Sequence, residues 1–286
     1  VGLKATWSRV SRDGVFPLAW TLDCVGPLTR TSQDAALVLQ VLAGHDPLDP
    51  TSSSVPVADY ADGLTNNLEG IRVGVVKELM NEPETNVGVR VIVDDAIEVL
   101  RDLGAEIRKV QLPQMADSKY VTSPLVLPDA VQYHRPLLLE NYEDYDVNTR
   151  VRLMIGAALP AGIIGQADRA RIGFTRAALK AFEDVDVFVG AAAGEGAPPL
   201  TYSKRVTTKE EAVYGTFGAG AVAGHHSRLA SLAGLPALSV PCGFDSNGMP
   251  LGLHVGGKYF DEATVLKVAH AYEIASGGLQ KRPPLV

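Results

Sequence analysis

At 286 residues, 46% hydrophobic and 21% charged, the chain has the composition of a globular protein with room for one large core or two smaller ones. A net charge of -7 and a pI near 5.4 argue against direct, non-specific binding to nucleic acid or an anionic membrane, both of which need basic surface. No uncharged apolar run reaches the roughly 18 residues of a membrane span, and two cysteines, Cys24 and Cys242, form neither a CxxC pair nor a disulfide framework, which suits free thiols in a reducing cytoplasm.

Val1-Gly2-Leu3 reads as the tail of a buried strand, with no initiator Met and no secretory signal ahead of it. The sequence is therefore expected to begin partway through a protein. Thr31 is the expected N-cap of a helix, because Thr-Ser-Gln-Asp resembles a capping box and Ala35, Ala36, Leu39, Val41 and Leu42 supply an apolar stripe. "HDPLDPTSSSVPVADY" is turn-rich and reads as an extended surface connector. "GIRVGVV" then predicts a buried strand, Val87 to Leu103 a helix ended by Gly104, and "AEIRKVQLP" another strand. Strand, helix, strand is a βαβ unit with parallel pairing.

From 113 to 150 the periodicity is weak and tyrosines concentrate (Tyr120, Tyr133, Tyr142 and Tyr145), which predicts an irregular, pocket-covering segment over the core. Residues 150 to 182 read as helical with a break near Pro160, and "DVDVFVGAAAGEGAPP" as a strand running into a Gly/Pro loop. "LPALSVPCGF" and "MPLGLHVGG" predict a hairpin across Asn247-Gly248, two residues that can both take positive φ. Asp261 is the expected cap of a final helix ended by Gly277 and Gly278. The whole chain, 1–286, is read as a single α/β domain.

Chemistry is hard to find by residue type. The six histidines make no HExxH or Cys/His metal spacing, and the adjacent pair His225-His226 is a poor bidentate ligand on a strand. Gly252 to Lys258 fits GxxxxGK but continues with Tyr259 where a phosphate loop needs Ser or Thr, so these glycines are expected to end a strand. "GTFGAGAVAG" and "GAAAGEGAPP" lack the GxGxxG order. No serine sits in GxSxG. Lys4 close to Ser8 and Ser11 invites a Ser–Lys dyad, with ordinary structural roles as the alternative.

The two ends carry more. "VGLKATWSRVSRDG", "LDCVGPLTR" and "AGHDPLDPTS" resemble the "GLKPTxGRVSxxG", "LDxxGPxxR" and "AGxDxxDxTS" stretches of the amidase signature family, and "LAGLPALSVPCGFDSNGMPLGLHVGGKYFDE" resembles its "GLPAxSxPxGxxxxGxPxGxQxxGxxxxE" segment. The resemblance implies an α/β fold, an amidase-signature-like mixed β-sheet flanked by helices, N-terminally truncated here. It implies hydrolysis of a small carboxamide through a Ser/cis-Ser/Lys acyl-enzyme mechanism, without metal or organic cofactor. The nucleophile, bridging serine and base lie ahead of "VGLKPT" in the family, so none is carried onto this chain, and Lys4 is not the family's base.

The resemblance places Trp20, Thr21 and Asp23 beside the substrate pocket, and Arg152 where some members read a substrate carboxylate. The structural alternatives are a core Trp20, a loop-acceptor Asp23 and a solvated Arg152. A small amide is the expected partner, with a homodimer or a complementing N-terminal portion left open and neither nucleic acid nor membrane expected. Two other functions remain. One is a component of a glutamine-dependent tRNA amidotransferase, disfavoured because no acidic residue follows Tyr214 before Leu235. The other is a catalytically silent assembly or interaction fragment, driven by exposed apolar surface.

Overall fold

A computed structural model describes residues 1–80, 85–198, 208–217 and 225–277. Six strands form one mixed sheet: β1 (Gly2–Lys4), β2 (Arg72–Val76), β3 (Glu106–Val110), β4 (Val187–Ala191), β5 (Ala237–Phe244) and β6 (Pro250–Gly257), in the spatial order β1-β5-β6-β4-β2-β3. β2 pairs in parallel with β3 and β4, and the remaining pairs are antiparallel. The expected βαβ unit is β2, helix α3 (Val87–Asp102) and β3. A short helix α2 (Lys77–Met80) lies between β2 and α3.

Alternation along the strands sorts side chains onto two faces. Leu3, Val73, Val187, Val189, Leu238, Val240, Leu253 and Val255 share one buried cluster with side chains from α1 (Ser32–Leu42), α3 and α9 (Glu262–Ser276). Val76, Val110, Phe188 and Ala237 join a second cluster with α4 (Ser118–Glu140), α6 (Ala161–Ala181) and α8 (Arg228–Ala233). Phe182 and Phe188 stack within it, with centroids 4.0 Å apart. α5 (Val147–Ala158) packs against α4 and also meets α7 (Lys209–Phe217).

Local chemistry fixes the boundaries. Thr31 accepts a hydrogen bond from Asp34 N at the start of α1, and Asp261 accepts one from Thr264 N at the start of α9. Leu159-Pro160 separates α5 from α6, as the residues predicted. Gly277 closes α9 in the left-handed conformation, whereas Gly278 lies outside the described residues.

Two expectations are corrected. Residues 113–150 are not irregular: a 3-10 turn at Pro113–Asp117 leads into the 23-residue α4, and a second 3-10 turn at Tyr142–Asp144 precedes α5. Pro124, Pro128 and Pro136 inside α4 erase the local helix signal by removing donors, yet Val121, Leu125, Ala130 and Val131 still point inward and packing holds the helix. The β5–β6 turn also differs, since only Gly248 takes a positive φ (77°). Asp245 instead builds the turn, accepting at Oδ1 from Asn247 N and Met249 N while Gly248 N donates to Asp245 O. This is a type I turn followed by a left-handed glycine.

Candidate functional site

β1 ends at Lys4, and the chain turns through Thr6, Trp7 and Ser8. This turn is stitched to two distant segments. Trp7 N donates to Gly234 O (3.0 Å) just after α8. Thr6 N donates to Glu262 Oε1 (2.8 Å), and Thr6 Oγ1 accepts from Phe260 N (2.9 Å), at the start of α9. Arg171 of α6 closes the third side: its Nε donates to Leu232 O (2.7 Å), Nη1 to Thr21 Oγ1 and Nη2 to Thr21 O (2.9 Å each). Tyr259 donates its hydroxyl to Ala233 O.

These contacts enclose a cavity of about 360 Å³ lined by Thr6, Trp7, Ser8, Thr21, Arg171, Ala233, Tyr259 and Phe260. Ser8 (φ 78°) and Phe260 (φ 61°) are the non-glycine residues with positive φ among the described residues, and both face this space. Such backbone is unfavourable for side-chain-bearing residues and concentrates at functional sites. A second cavity of about 410 Å³ lies between the start of α3, residues 195–198 and the Asp245–Asn247 turn. Its side-chain caps, Asn86 and Asp245, are already engaged with backbone amides, so the first cavity is the better candidate.

Two cations stand at the first cavity, Arg171 in its lining and Lys4 close to Arg171. Burial draws the Lys4 ammonium and the Arg171 guanidinium below their ordinary pKa values, and repulsion from Arg171 adds to the lowering at Lys4. Lys4 Nζ donates to Leu235 O (2.8 Å) and Ala5 O (3.2 Å). Ser11 instead donates to Asp46 Oδ2 (2.6 Å), so the three residues do not form a Ser–Lys dyad. The Arg12 guanidinium lies between the rings of Trp7 (5.0 Å) and Trp20 (4.9 Å), donates to Trp20 O and Thr51 Oγ1, and faces the Asp49 carboxylate. It ties the "DPLDPTS" connector to the Trp20 loop.

Of the residues expected near substrate, Trp20, Thr21 and Asp23 fall in one loop, and Thr21 lines the cavity. Trp20 is half-exposed and its amide donates to Asp129 Oδ2 (3.2 Å) of α4. Asp23 Oδ2 accepts from Leu18 N (2.8 Å) and Ala19 N (2.9 Å), matching a loop-acceptor role. Arg152 is exposed on α5 and outside the cavity lining, and the lining includes no residue of 113–150. Arg171 escapes sequence reasoning because no motif marks it, and Tyr259 and Phe260, though inside the C-terminal segment that carries the resemblance, are not singled out by it as site residues.

The remaining sequence candidates resolve into structure. His226 Nε2 pairs with Thr85 Oγ1 (2.9 Å), while the side chains of His225 and Tyr214 lie outside the described residues. Gly252 to Gly257 belongs to β6, and Lys258 pairs with Asp186 (3.2 Å). "GTFGAGAVAG" falls largely outside the described residues.

His254 is buried on β6, and burial pushes its pKa down to about 4, with His226 and Lys4 adding in the same direction. Its folded value lies below the ordinary one, so its stabilising effect is complete above about pH 6.5 and is lost as pH falls toward 4, where the unfolded chain takes up a proton that the folded one refuses. Urea unfolding free energies measured across that window are expected to fall by about 3 kcal/mol in the parent chain and by clearly less in His254→Gln.

A family model described as Amidase matches residues 1–266. An amidase from Pseudomonas putida is 36% identical over 293 residues, covering all of this chain and 60% of the relative. A glutamyl-tRNA(Gln) amidotransferase component from Halalkalibacterium halodurans is 36% identical over 318 residues, covering all of this chain and 61% of its own length. A solved crystal structure of an amidase superposes with a TM-score of 0.75 at 29% identity, covering 96% of this chain and 58% of that one. The chain thus spans about 60% of the length of the curated relatives it matches. A shared mixed sheet, end motifs that converge on one cavity, and a match running through most of its length place this chain in the Amidase family.

Proposed function

We propose that this chain, acting as one domain, is the C-terminal portion of an amidase that hydrolyses a small carboxamide. Its reacting serine, bridging serine and lysine are those the resemblance implies ahead of Val1. The observation that carries this reading is the 36% identity to an amidase along the entire chain. In that mechanism the serine adds to the amide carbonyl, the amine departs with a proton returned through the serine–lysine relay, and water cleaves the acyl-enzyme. This chain contributes a wall of the pocket: Thr21 faces the cavity, and Asp23 and Trp20 hold the loop that presents it. Arg152, away from that cavity, is assigned no part in it.

A specific observation supports a second reading. The glutamyl-tRNA(Gln) amidotransferase component matches at the same identity as the amidase, so this chain could serve a glutamine-dependent tRNA amidotransferase. The absence of an acidic residue between Tyr214 and Leu235, where the resemblance implies a glutamine-holding aspartate, favours the simple hydrolase. The chain alone, tested on simple amides and with a serine-directed phosphonate, is expected to show neither turnover nor label. Joined to the upstream segment it should gain both, with the label upstream of Val1. Robust turnover by the chain alone, or a labelled serine within 1–286, overturns the hydrolase assignment as stated, and glutamine-dependent ammonia release by the complete protein selects the second reading.

A further inference from the structure

We infer that Asn247 is a modification site. It loses its side-chain amide to attack by the following glycine and becomes aspartate or isoaspartate, and the Asp245 carboxylate holds that conversion in check while the turn is folded. The inference is independent of the amidase reading and concerns the second cavity rather than the first.

Of the seven asparagines, Asn247 alone precedes a glycine. The attacking group is the backbone nitrogen of the next residue, and a side chain on that residue crowds it. Gly248 has none, and the space around it is open, since a Cβ built there meets nothing within 4 Å. Asn247 is exposed to water, and among the described residues nothing bonds to its side-chain amide. The step balances with water as the sole co-reactant. Gly248 N forms a bond to Asn247 Cγ, the Cγ–Nδ2 bond breaks, and ammonia leaves with the proton that Gly248 N gave up. Water then opens the succinimide ring, at the side-chain carbonyl to give aspartate or at the main-chain carbonyl to give isoaspartate.

The turn opposes this attack. Gly248 N, the attacking atom, donates to Asp245 O (3.0 Å), and that bond must break before the nitrogen can reach Cγ. Asp245 secures the turn on both sides of it. Its Oδ1 accepts from Asn247 N and Met249 N (2.8 Å each), and its own N donates to Met249 O (2.9 Å). The carboxylate is seated against Gly196, where its Oδ2 leaves no room for a Cβ. Conversion therefore requires a local opening, and its rate follows the population of the open turn. The product adds a carboxylate to a cavity of about 410 Å³ already lined by Glu195 and Asp245, so like charges repel there. The isoaspartate form also lengthens the backbone between β5 and β6 by one methylene.

Peptide mapping by mass spectrometry reads the conversion as the change from amide to acid at Asn247. Isomerisation at Asp13-Gly14 or Asp62-Gly63 cannot mimic it, because that leaves the mass unchanged. Incubated at mildly alkaline pH, the 286-residue chain is expected to convert at Asn247 several-fold faster than at any other asparagine, with a rate that rises with pH. Asp245→Ala should convert about tenfold faster than the parent, as the loss of two side-chain hydrogen bonds requires. Asp245→Asn keeps an acceptor in place and should stay within about threefold of the parent. Thermal unfolding verifies that each variant is folded, and in guanidinium chloride the three chains should converge on one faster rate. Conversion at Asn247 no faster than at the other asparagines overturns the site. Equal rates for Asp245→Ala and the parent overturn the restraint by Asp245. If Asp245→Ala does not fold, the parent and Asp245→Asn decide: a rate in native buffer equal to that in guanidinium chloride overturns the restraint.

Discussion

Gly26→Ala is expected to destabilise the protein by about 3–5 kcal/mol in urea unfolding, at the severe end of single substitutions. Residues 27–29 run back along the outer edge of β1: Leu3 N donates to Pro27 O, Thr29 N to Val1 O, and the Val1 amino group to Thr29 O. Gly26 is the point of closest approach, where a Cβ would stand 2.0 Å from the Leu3 carbonyl oxygen. The obstacle is backbone on both sides, so no rotamer change relieves it, and β1 must separate from the 27–29 segment or shift against β5. Gly63→Ala, whose Cβ meets nothing within 4 Å, is the matched control and should lie within about 0.5 kcal/mol of the parent. A Gly26→Ala chain as stable as that control would disprove the close approach.

The second large effect is at Glu262. This carboxylate is completely buried, and its Oε1 accepts the Thr6 amide that anchors the cavity turn. It opens α9, where the free N–H groups of the first turn favour negative charge. Glu262→Ala removes the acceptor and leaves a buried amide unpaired, with an expected cost of about 3 kcal/mol. Glu262→Gln keeps an acceptor in place and should cost about 1 kcal/mol. Differential scanning calorimetry on both variants checks the order. Equal losses would show that the side chain's volume or charge, rather than its hydrogen bond to Thr6, is what matters.

The fold was legible wherever local chemistry and periodicity agreed. Thr31 and Asp261 cap helices through their own side chains, and β2–α3–β3 and β5–β6 each place their partner strands close in sequence. α4 was hidden because Pro124, Pro128 and Pro136 remove the donors that a propensity argument relies on, while the contacts that sustain the helix come from α5, α6 and α8. The turn at 245–248 was located correctly but built differently, since an aspartate side chain replaced the second left-handed residue.

The site was half-legible for the same reason. The Trp20–Asp23 loop lies beside the motifs that carry the family resemblance, so Thr21 could be named. Arg171 sits on a helix that also carries Arg169, Arg176 and Lys180, and which of these turns inward depends on where α8 and the Thr21 loop meet α6. Tyr259 and Phe260 read as the linker between a strand and a helix, and they become cavity walls only because Thr6 and Ala233 hold them. Periodicity along a chain says nothing of a wall assembled from five separate segments.

The sheet order also bears on how this chain reaches its fold. β1, the first strand in the sequence, pairs with β5, and its exit turn is fastened across 256 residues by Thr6 and Glu262, just as α1 is fastened to α9 across 241 by Ser32 and Glu273. Such pairings bring a high loop-closure cost before any contact rewards it. β2, α3 and β3 can assemble from neighbours during synthesis, but the Thr6–Ser8 turn, which early on has Ser53 N donating to Ser8 O, gains its bonds to Gly234 O, Phe260 N and Glu262 only once α8, β5, β6 and the start of α9 have left the ribosome. The recess beside Arg171 is therefore a late event of folding, formed when the Thr6–Ser8 turn meets the segment running from α8 to the start of α9.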